Sequence, residues 1–244
     1  MSAHDVTLFG DQIAADRLAE KFAAVDAPKF LRLAIEDLFP GRIALVSSFG
    51  ADSAVLLHMV AQINKATPVI FVDTLHLFPE TLAYRDTLIA RLGLTNVITA
   101  EPDKQVLQQE DPENFLWASN PDRCCELRKV IPLAKYIEPY EAWITGRKRY
   151  QAETRAMLPL FEAEGERVKV NPLAGWSAEK ILAYLDQFDL PRHSLVAKGY
   201  PSIGCIPCTS PVKPGEDARA GRWRGRGKVE CGIHVGTLDA GADI

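Results

Sequence analysis

Five cysteines are the residues of this chain most able to do chemistry, and their spacing divides them. Cys124 and Cys125 are adjacent, Cys205 and Cys208 form C-x-x-C, and Cys231 stands apart in KVECGIH (228–234). The start, MSAHDVTLFGDQ, has no basic-then-apolar leader, and no apolar run approaches the roughly 18 residues that a bilayer span needs. The expected address is the cytoplasm. There structural disulfides are disfavoured, and cysteines read as metal ligands or catalysts. The simplest division is four thiolates for one metal site and a fifth left free. Zinc and an iron–sulfur cluster both accept four thiolates. Adjacent side chains on a helix point about 100° apart, which makes a joint approach to one small ion awkward. A cluster offers irons at separate corners, so consecutive thiolates can reach different irons, and the geometry favours it. The free thiol is a nucleophile once ionised, and nearby cations lower its pKa. Lys228, the arginines before it and His234 are the candidates to supply them.

The net charge of −4 argues against binding to a long polyanion. Basic residues nevertheless cluster in GRKRYQAETR (146–155) and RAGRWRGRGK (219–228). Such local clusters on an acidic chain suit a small anionic ligand better than a nucleic acid. An Arg/Gly segment can also be a disordered RNA-binding tail, and that reading stays open at this point.

These residues need a scaffold. Two amphipathic helices are expected over 12–39, and PG at 40–41 stops them. Short apolar runs then alternate with helical stretches. Strands are expected at 42–50, 68–73, 96–100, 142–146 and 167–173, and helices at 51–64, 79–93 (closed by Gly93), 125–137 (kinked or restarted by Pro132) and 177–188, with Ser177 as N-cap. Alternation of this kind predicts an α/β fold, a parallel-type twisted sheet flanked by helices on both faces. From about residue 200 apolar periodicity is lost. The chain therefore divides into a nucleotide-binding domain over 1–200 and a flexible C-terminal tail over 201–244, which is not a domain of its own.

SSFGADS (47–53) lies between the first strand and its helix, where ligands of open parallel sheets bind. Gly50 lets the backbone approach a ligand, and the hydroxyls of Ser47, Ser48 and Ser53 with the helix-start amides can hold anionic oxygens. No lysine follows, so it is not the ordinary phosphate loop of nucleoside triphosphatases.

The S-x-G-x-D-S pattern resembles the modified pyrophosphate loop of the adenine nucleotide alpha-hydrolase-like fold. ATP-cleaving members of that fold have S-G-G-x-D-S; here Phe49 replaces the first glycine, and its bulk is expected to restrict room for a full pyrophosphate. FVDTLHLFPET (71–81) is similar to the D-T-x-x-x-F-P-E-T of reductases of adenylylated sulfate, which brings in Asp73. CCELRK and GCIPCTSPV resemble the cysteine pattern of assimilatory adenylyl-sulfate reductases. That resemblance implies a [4Fe–4S] cluster on Cys124, Cys125, Cys205 and Cys208, with Lys129 beside cluster and substrate. The 3′-phosphoadenylyl-sulfate reductases generally lack these four cysteines. ITGRKRYQAETR resembles the family's arginine loop with Gly146, Arg149 and Arg155 in place, although Lys148 stands where an arginine is usual. EDARAGRW offers Arg219 and Arg222. KVECGIH is similar to K-T-E-C-G-L-H, whose cysteine attacks the sulfur of adenylyl sulfate and leaves an S-sulfocysteine. The resemblance spans about residues 42–234.

One cysteine outside the tetrad cannot resolve its own intermediate, so the reductant must come in trans, as thioredoxin or glutaredoxin. The charge and the lack of a long apolar run lead to the expectation of no nucleic acid and no membrane partner, and a homo-oligomer stays open. Two other readings remain: a 3′-phosphoadenylyl-sulfate or dual-specificity reductase, and an ATP-dependent tRNA-thiolating enzyme, which Phe49 and KVECGIH disfavour.

Overall fold

The computed structural model describes residues 12–234. Helix α1 (Gln12–Phe22) and helix α2 (Ala27–Arg32) come first, and π-helical turns over Leu33–Leu38 extend α2. Strand β1 (Ile43–Ser47), helix α3 (Ser53–Ile63), strand β2 (Val69–Val72), helix α4 (Pro79–Leu92) and strand β3 (Val97–Ala100) form the first half of a wound sheet. Gly93 ends α4 at φ 67, a left-handed cap that a side chain would disfavour. Short helices α5 (Lys104–Glu110), α6 (Leu116–Ser119) and α7 (Pro121–Cys125) follow. A π-helical stretch, Glu126–Val130, leads into helix α8 (Ile131–Ile137), which Pro132 restarts from its first turn. Strands β4 (Ala142–Ile144), β5 (Phe161–Glu164) and β6 (Arg167–Val170) complete the sheet before helix α9 (Ala178–Gln187). Ser177 caps α9 as expected, its Oγ accepting from the Lys180 amide at 3.2 Å.

The strand order is β3-β2-β1-β4-β6-β5, parallel except for β5, which pairs antiparallel with β6. β5 is absent from the sequence expectations because FEAE has one apolar anchor and alternates too briefly to register. Side-chain alternation splits the strands between two layers. Leu45, Val69, Phe71 and Ile144 face the larger core with α1–α4 and α9, while Ala44, Ile70, Val72 and Trp143 meet Leu133, Ala134 and Ile137 of α8 on the other face. Among the described residues, no helix is long and apolar enough to cross a membrane.

The segment from 200 to 234 differs from the expected tail. Trp223 is 3% exposed, and Ile203 and Cys205 are nearly as buried. Cys205 bridges to Leu77, and Thr209 bridges to Arg222. Packing there rests on one tryptophan, stacked arginines and backbone bonds, none of which produces a hydrophobic period. A Cβ on Gly204 would lie 2.2 Å from Arg222 Nη2, so only glycine admits the guanidinium there. The tail residues from 235 onward lie outside the described residues.

Candidate active site

The loop after β1 is held by a buried phenyl ring. Phe49 has φ 47 and is 0% exposed, packed edge to face on Phe71 at 5.3 Å. The left-handed backbone costs about 1–2 kcal/mol for a residue with a Cβ, against about 1.5–3 kcal/mol from burying a phenylalanine side chain. Burial wins, and the ring anchors the loop from below. This corrects the expected role of Phe49. Its bulk points into the core and is not among the cleft's lining residues, so it takes no room from a ligand. Ser47 Oγ accepts from the Phe49 amide at 3.2 Å, and Ser48 stands exposed.

Above the loop lies a cleft of about 470 Å³ at the carboxyl ends of β1, β2 and β4. Its walls include Ser47, Ser48, Gly50, Ser53, Gly146, Lys129, Arg155, Arg219, Arg222 and Cys231. Asp73 and Arg149 are not among them. The Asp73 carboxylate accepts from the Leu75 amide at 2.9 Å, and Arg149 Nε is spent on the Leu158 carbonyl at 2.9 Å. Both shape loops beside the cleft.

Two cleft residues, Asp52 and Arg147, have no place in the sequence expectations, and Lys148 has only a discounted one. Asp52 pairs with Lys148 at 2.9 Å, and Arg147 lies below them, bonded to Glu162 and Asn171. Lys148 is the residue set aside for not being arginine, yet its side chain is only 3% exposed. Burial pushes its pKa down, and Asp52 opposes this. Exposure is asymmetric, since the Asp52 side chain is 30% exposed. Asp52→Asn strands a buried ammonium and is expected to cost about 3 kcal/mol, whereas Lys148→Met leaves a carboxylate that water can reach. Thermal melts should therefore rank Asp52→Asn below Lys148→Met; the reverse order would contradict the pairing.

The other four cysteines line one small cavity with His76, Trp117, Arg128 and Lys129. None of them forms a disulfide. Cys124 and Cys125 end α7, and Cys205 is fixed by the Thr74 hydroxyl at 3.2 Å. No three His, Cys, Asp or Glu side chains among the described residues converge as ligands of a single metal ion. The polar atoms around the cavity fit an anionic group. Arg128 spends its Nη atoms on the Thr74 carbonyl (3.2 Å), Asp111 (2.8 Å) and Asn114 (2.8 Å), and its buried Nε has no partner. Trp223, whose amide bonds the Cys208 carbonyl at 3.0 Å, lines the neighbouring cleft instead, and its buried Nε1 has no partner. A buried donor without an acceptor is rare, and the sulfurs of a thiolate-bound cluster would satisfy Arg128 Nε. Burial first, then Cys125, pushes the Cys124 thiol up to about 12, so loading such a site must release protons. Cys205 shifts the other way. Burial raises it, but Lys129, the Thr74 hydroxyl and Arg222 together outweigh burial.

Lys129 links the two cavities, lining both. Burial lowers its pKa, but Cys205, Cys231 and Cys125 more than reverse this, so it stays charged.

Residues 42–211 match the phosphoadenosine phosphosulfate reductase domain; the phosphate loop and much of the cleft wall fall within that match, while Arg219, Arg222 and Cys231 lie beyond it. The chain belongs to this reductase family. A Chelativorans relative named adenosine 5′-phosphosulfate reductase is 52% identical over 94% of this chain and 94% of its own. One of the same name from Mesorhizobium japonicum is 52% identical over 93% of this chain and 92% of its own. A phosphoadenosine 5′-phosphosulfate reductase from Gloeobacter violaceus is 38% identical over 92% of this chain and 95% of its own. Among solved structures, the phosphoadenylyl-sulfate reductase of Candida auris in its phosphate complex superposes with a TM-score of 0.68 at 30% identity, covering 80% of this chain and 96% of that one. Yeast FAD synthetase, at 17% identity and a TM-score of 0.53, covers 85% of this chain and 73% of its own, and shares the fold alone.

In this reductase the expected cations around Cys231 are placed differently from the sequence reading. Lys228 pairs with Asp122. His234 stacks on Trp143, with centroids 5.6 Å apart and planes 10° apart. Burial first, then Arg147, Arg155, Lys169 and Arg219, push its pKa well below the ordinary range, so it is neutral and supplies no charge. Lys129 is a cation that interacts with Cys231.

Proposed function

We propose that this chain reduces adenylyl sulfate to sulfite and AMP in the cytoplasm, as part of assimilatory sulfate reduction. One observation supports this best: Cys231, Lys129, Arg222 and the phosphate loop line a single cleft, with the other four cysteines gathered beneath Lys129. The cleft at the strand ends suits a nucleotide, and a thiol at its rim suits attack on the group that the nucleotide bears.

The Cys231 thiolate would attack the sulfate sulfur. An S–S bond forms, the S–O bond to the phosphate breaks, and AMP leaves with the electron pair. Lys129 and Arg222 would neutralise charge on the sulfonate and phosphate as it shifts. Thiolate attack by a dithiol protein, thioredoxin or glutaredoxin, on the S-sulfocysteine then expels sulfite. Its second thiol closes its own disulfide and returns the Cys231 thiol. Two electrons pass from the dithiol to sulfur, and the chain contributes none.

Cys124, Cys125, Cys205 and Cys208 would hold a [4Fe–4S] cluster. When bound, it would supply negative charge that holds Lys129 in its ionised form beside the substrate. The names of the relatives at 52% identity and the cysteine tetrad support adenylyl sulfate over its 3′-phosphorylated form, which the Gloeobacter and Candida relatives are named for.

Purified protein should contain about four irons and four sulfides per chain. Sulfite release driven by reduced thioredoxin should show a higher kcat/KM for adenylyl sulfate than for 3′-phosphoadenylyl sulfate. Iron-free protein preferring the phosphorylated nucleotide would move the assignment to the alternative.

A further inference from the structure

Two of the arginines expected to bind the substrate's anion already hold a carboxylate of the chain itself. Arg155 directs Nε and Nη2 at Glu230 Oε1, at 2.8 and 2.7 Å. Arg219 Nη2 reaches Glu230 Oε2 at 3.3 Å and the Val229 carbonyl at 2.9 Å. Side-chain exposure of the three is 11%, 18% and 12% for Arg155, Arg219 and Glu230, so the cluster is shielded from competing water. The third donor of Arg155 goes to Gln151 Oε1 at 2.8 Å, and that same oxygen accepts from the Lys148 amide at 3.1 Å. Glu230 is thereby tied to the arginine loop and, through Lys148, to Asp52 of the phosphate loop.

Glu230 immediately precedes Cys231. On the other side of the cysteine, Gly232 turns at φ 87 against Val130, Ile233 packs with the smaller core, and His234 stacks on Trp143. The nucleophile thus sits between two anchors, one ionic and one aromatic. Arg222 is different: no carboxylate touches it among the described residues, its Nη1 bonds only the Ile203 carbonyl at 3.1 Å, and its buried Nε has no partner.

We propose that Glu230 is a positioning residue for Cys231. Its carboxylate latches the segment bearing the nucleophile onto Arg155 and Arg219, so these two arginines hold the segment while Arg222 and Lys129 receive the phosphosulfate. The latch explains how a cysteine on a segment with so few apolar residues is held over the cleft. Charge-assisted guanidinium–carboxylate bonds, Arg155 to one oxygen of Glu230 and Arg219 to the other, supply in a shielded site the binding that burial does not. The role in turnover rests on the reductase reading, whereas the latch itself does not.

The test uses the full-length, cluster-loaded protein and two readouts. The first is the rate of Cys231 alkylation by iodoacetamide without nucleotide, followed by intact and peptide mass. Glu230→Gln keeps the shape and removes the charge, and should speed alkylation about tenfold, the worth of one charge-assisted bond. Glu230→Asp keeps the charge and should fall between. Arg219→Gln combined with Glu230→Gln should speed alkylation by less than the product of the two single effects, because both break the same contact. The second readout is steady-state reduction of adenylyl sulfate, where Glu230→Gln should lower kcat about tenfold and leave KM within about twofold. A sharp fall in KM with kcat kept would mean that Glu230 competes with substrate, and would overturn the proposal. Unchanged alkylation in Glu230→Gln would overturn it as well. A wild-type protein whose alkylation obeys these rules but which releases no sulfite would refute the reductase reading and leave the latch standing.

Discussion

Cys231→Ser is expected to lower sulfite release from adenylyl sulfate by about 10⁴-fold or more, since the attacking group is lost outright. A serine hydroxyl has the same reach, but it stays protonated at neutral pH, and among the described residues no histidine is poised to activate it. His234, three residues on, is stacked on Trp143 and held neutral, and its unpartnered Nδ1 is buried rather than aimed at a hydroxyl by any bond. Nor can another thiol substitute, because Cys124, Cys125, Cys205 and Cys208 line a separate cavity beneath Lys129. Affinity for AMP should change by less than about twofold, since the cleft keeps its cations. Retention of more than a few per cent of wild-type activity would mean that the chemistry belongs to another group.

Lys129→Met is expected to reduce kcat/KM by about 10²–10³-fold, comparable to losing one preorganised donor at a site of developing charge. Methionine matches the stem of lysine and keeps the packing between the two cavities, so the loss should fall on charge alone. Lys129→Arg restores charge but places a wide planar fork where a compact ammonium sits among three thiols, and should recover only part of the rate. Iron content of Lys129→Met decides whether the effect is direct. Full iron with low activity supports action on the substrate, and loss of iron would shift the role of Lys129 to holding the cluster.

The wound sheet was legible because its strands are short apolar runs between clear breakers, and Gly93, Ser177 and Pro132 punctuate the helices where turn chemistry requires. The five cysteines separate by spacing alone, and the structure places four in one cavity and Cys231 on the neighbouring cleft. Phe49 misled because sequence gives the bulk of a side chain but not its direction; a single residue at φ 47 turned the ring inward. Lys148 was undervalued because a motif compares residue names, whereas its buried pairing with Asp52 depends on two loops meeting. The segment around Trp223 looks like a tail in sequence because ionic and stacking contacts leave no period there. Arg222 over Trp223 at 4.5 Å and Glu230 between two arginines become visible only in three dimensions.

The most direct test of the mechanism is the intact mass of cluster-loaded protein mixed with adenylyl sulfate in the absence of any reductant. Nucleophilic attack by Cys231 predicts a gain of one SO₃ unit per chain, mapped to the peptide that contains Cys231 and removed, with release of sulfite, by reduced thioredoxin. An adduct that persists in Cys231→Ser, or a wild-type chain that releases AMP without ever gaining the SO₃ unit, would contradict it.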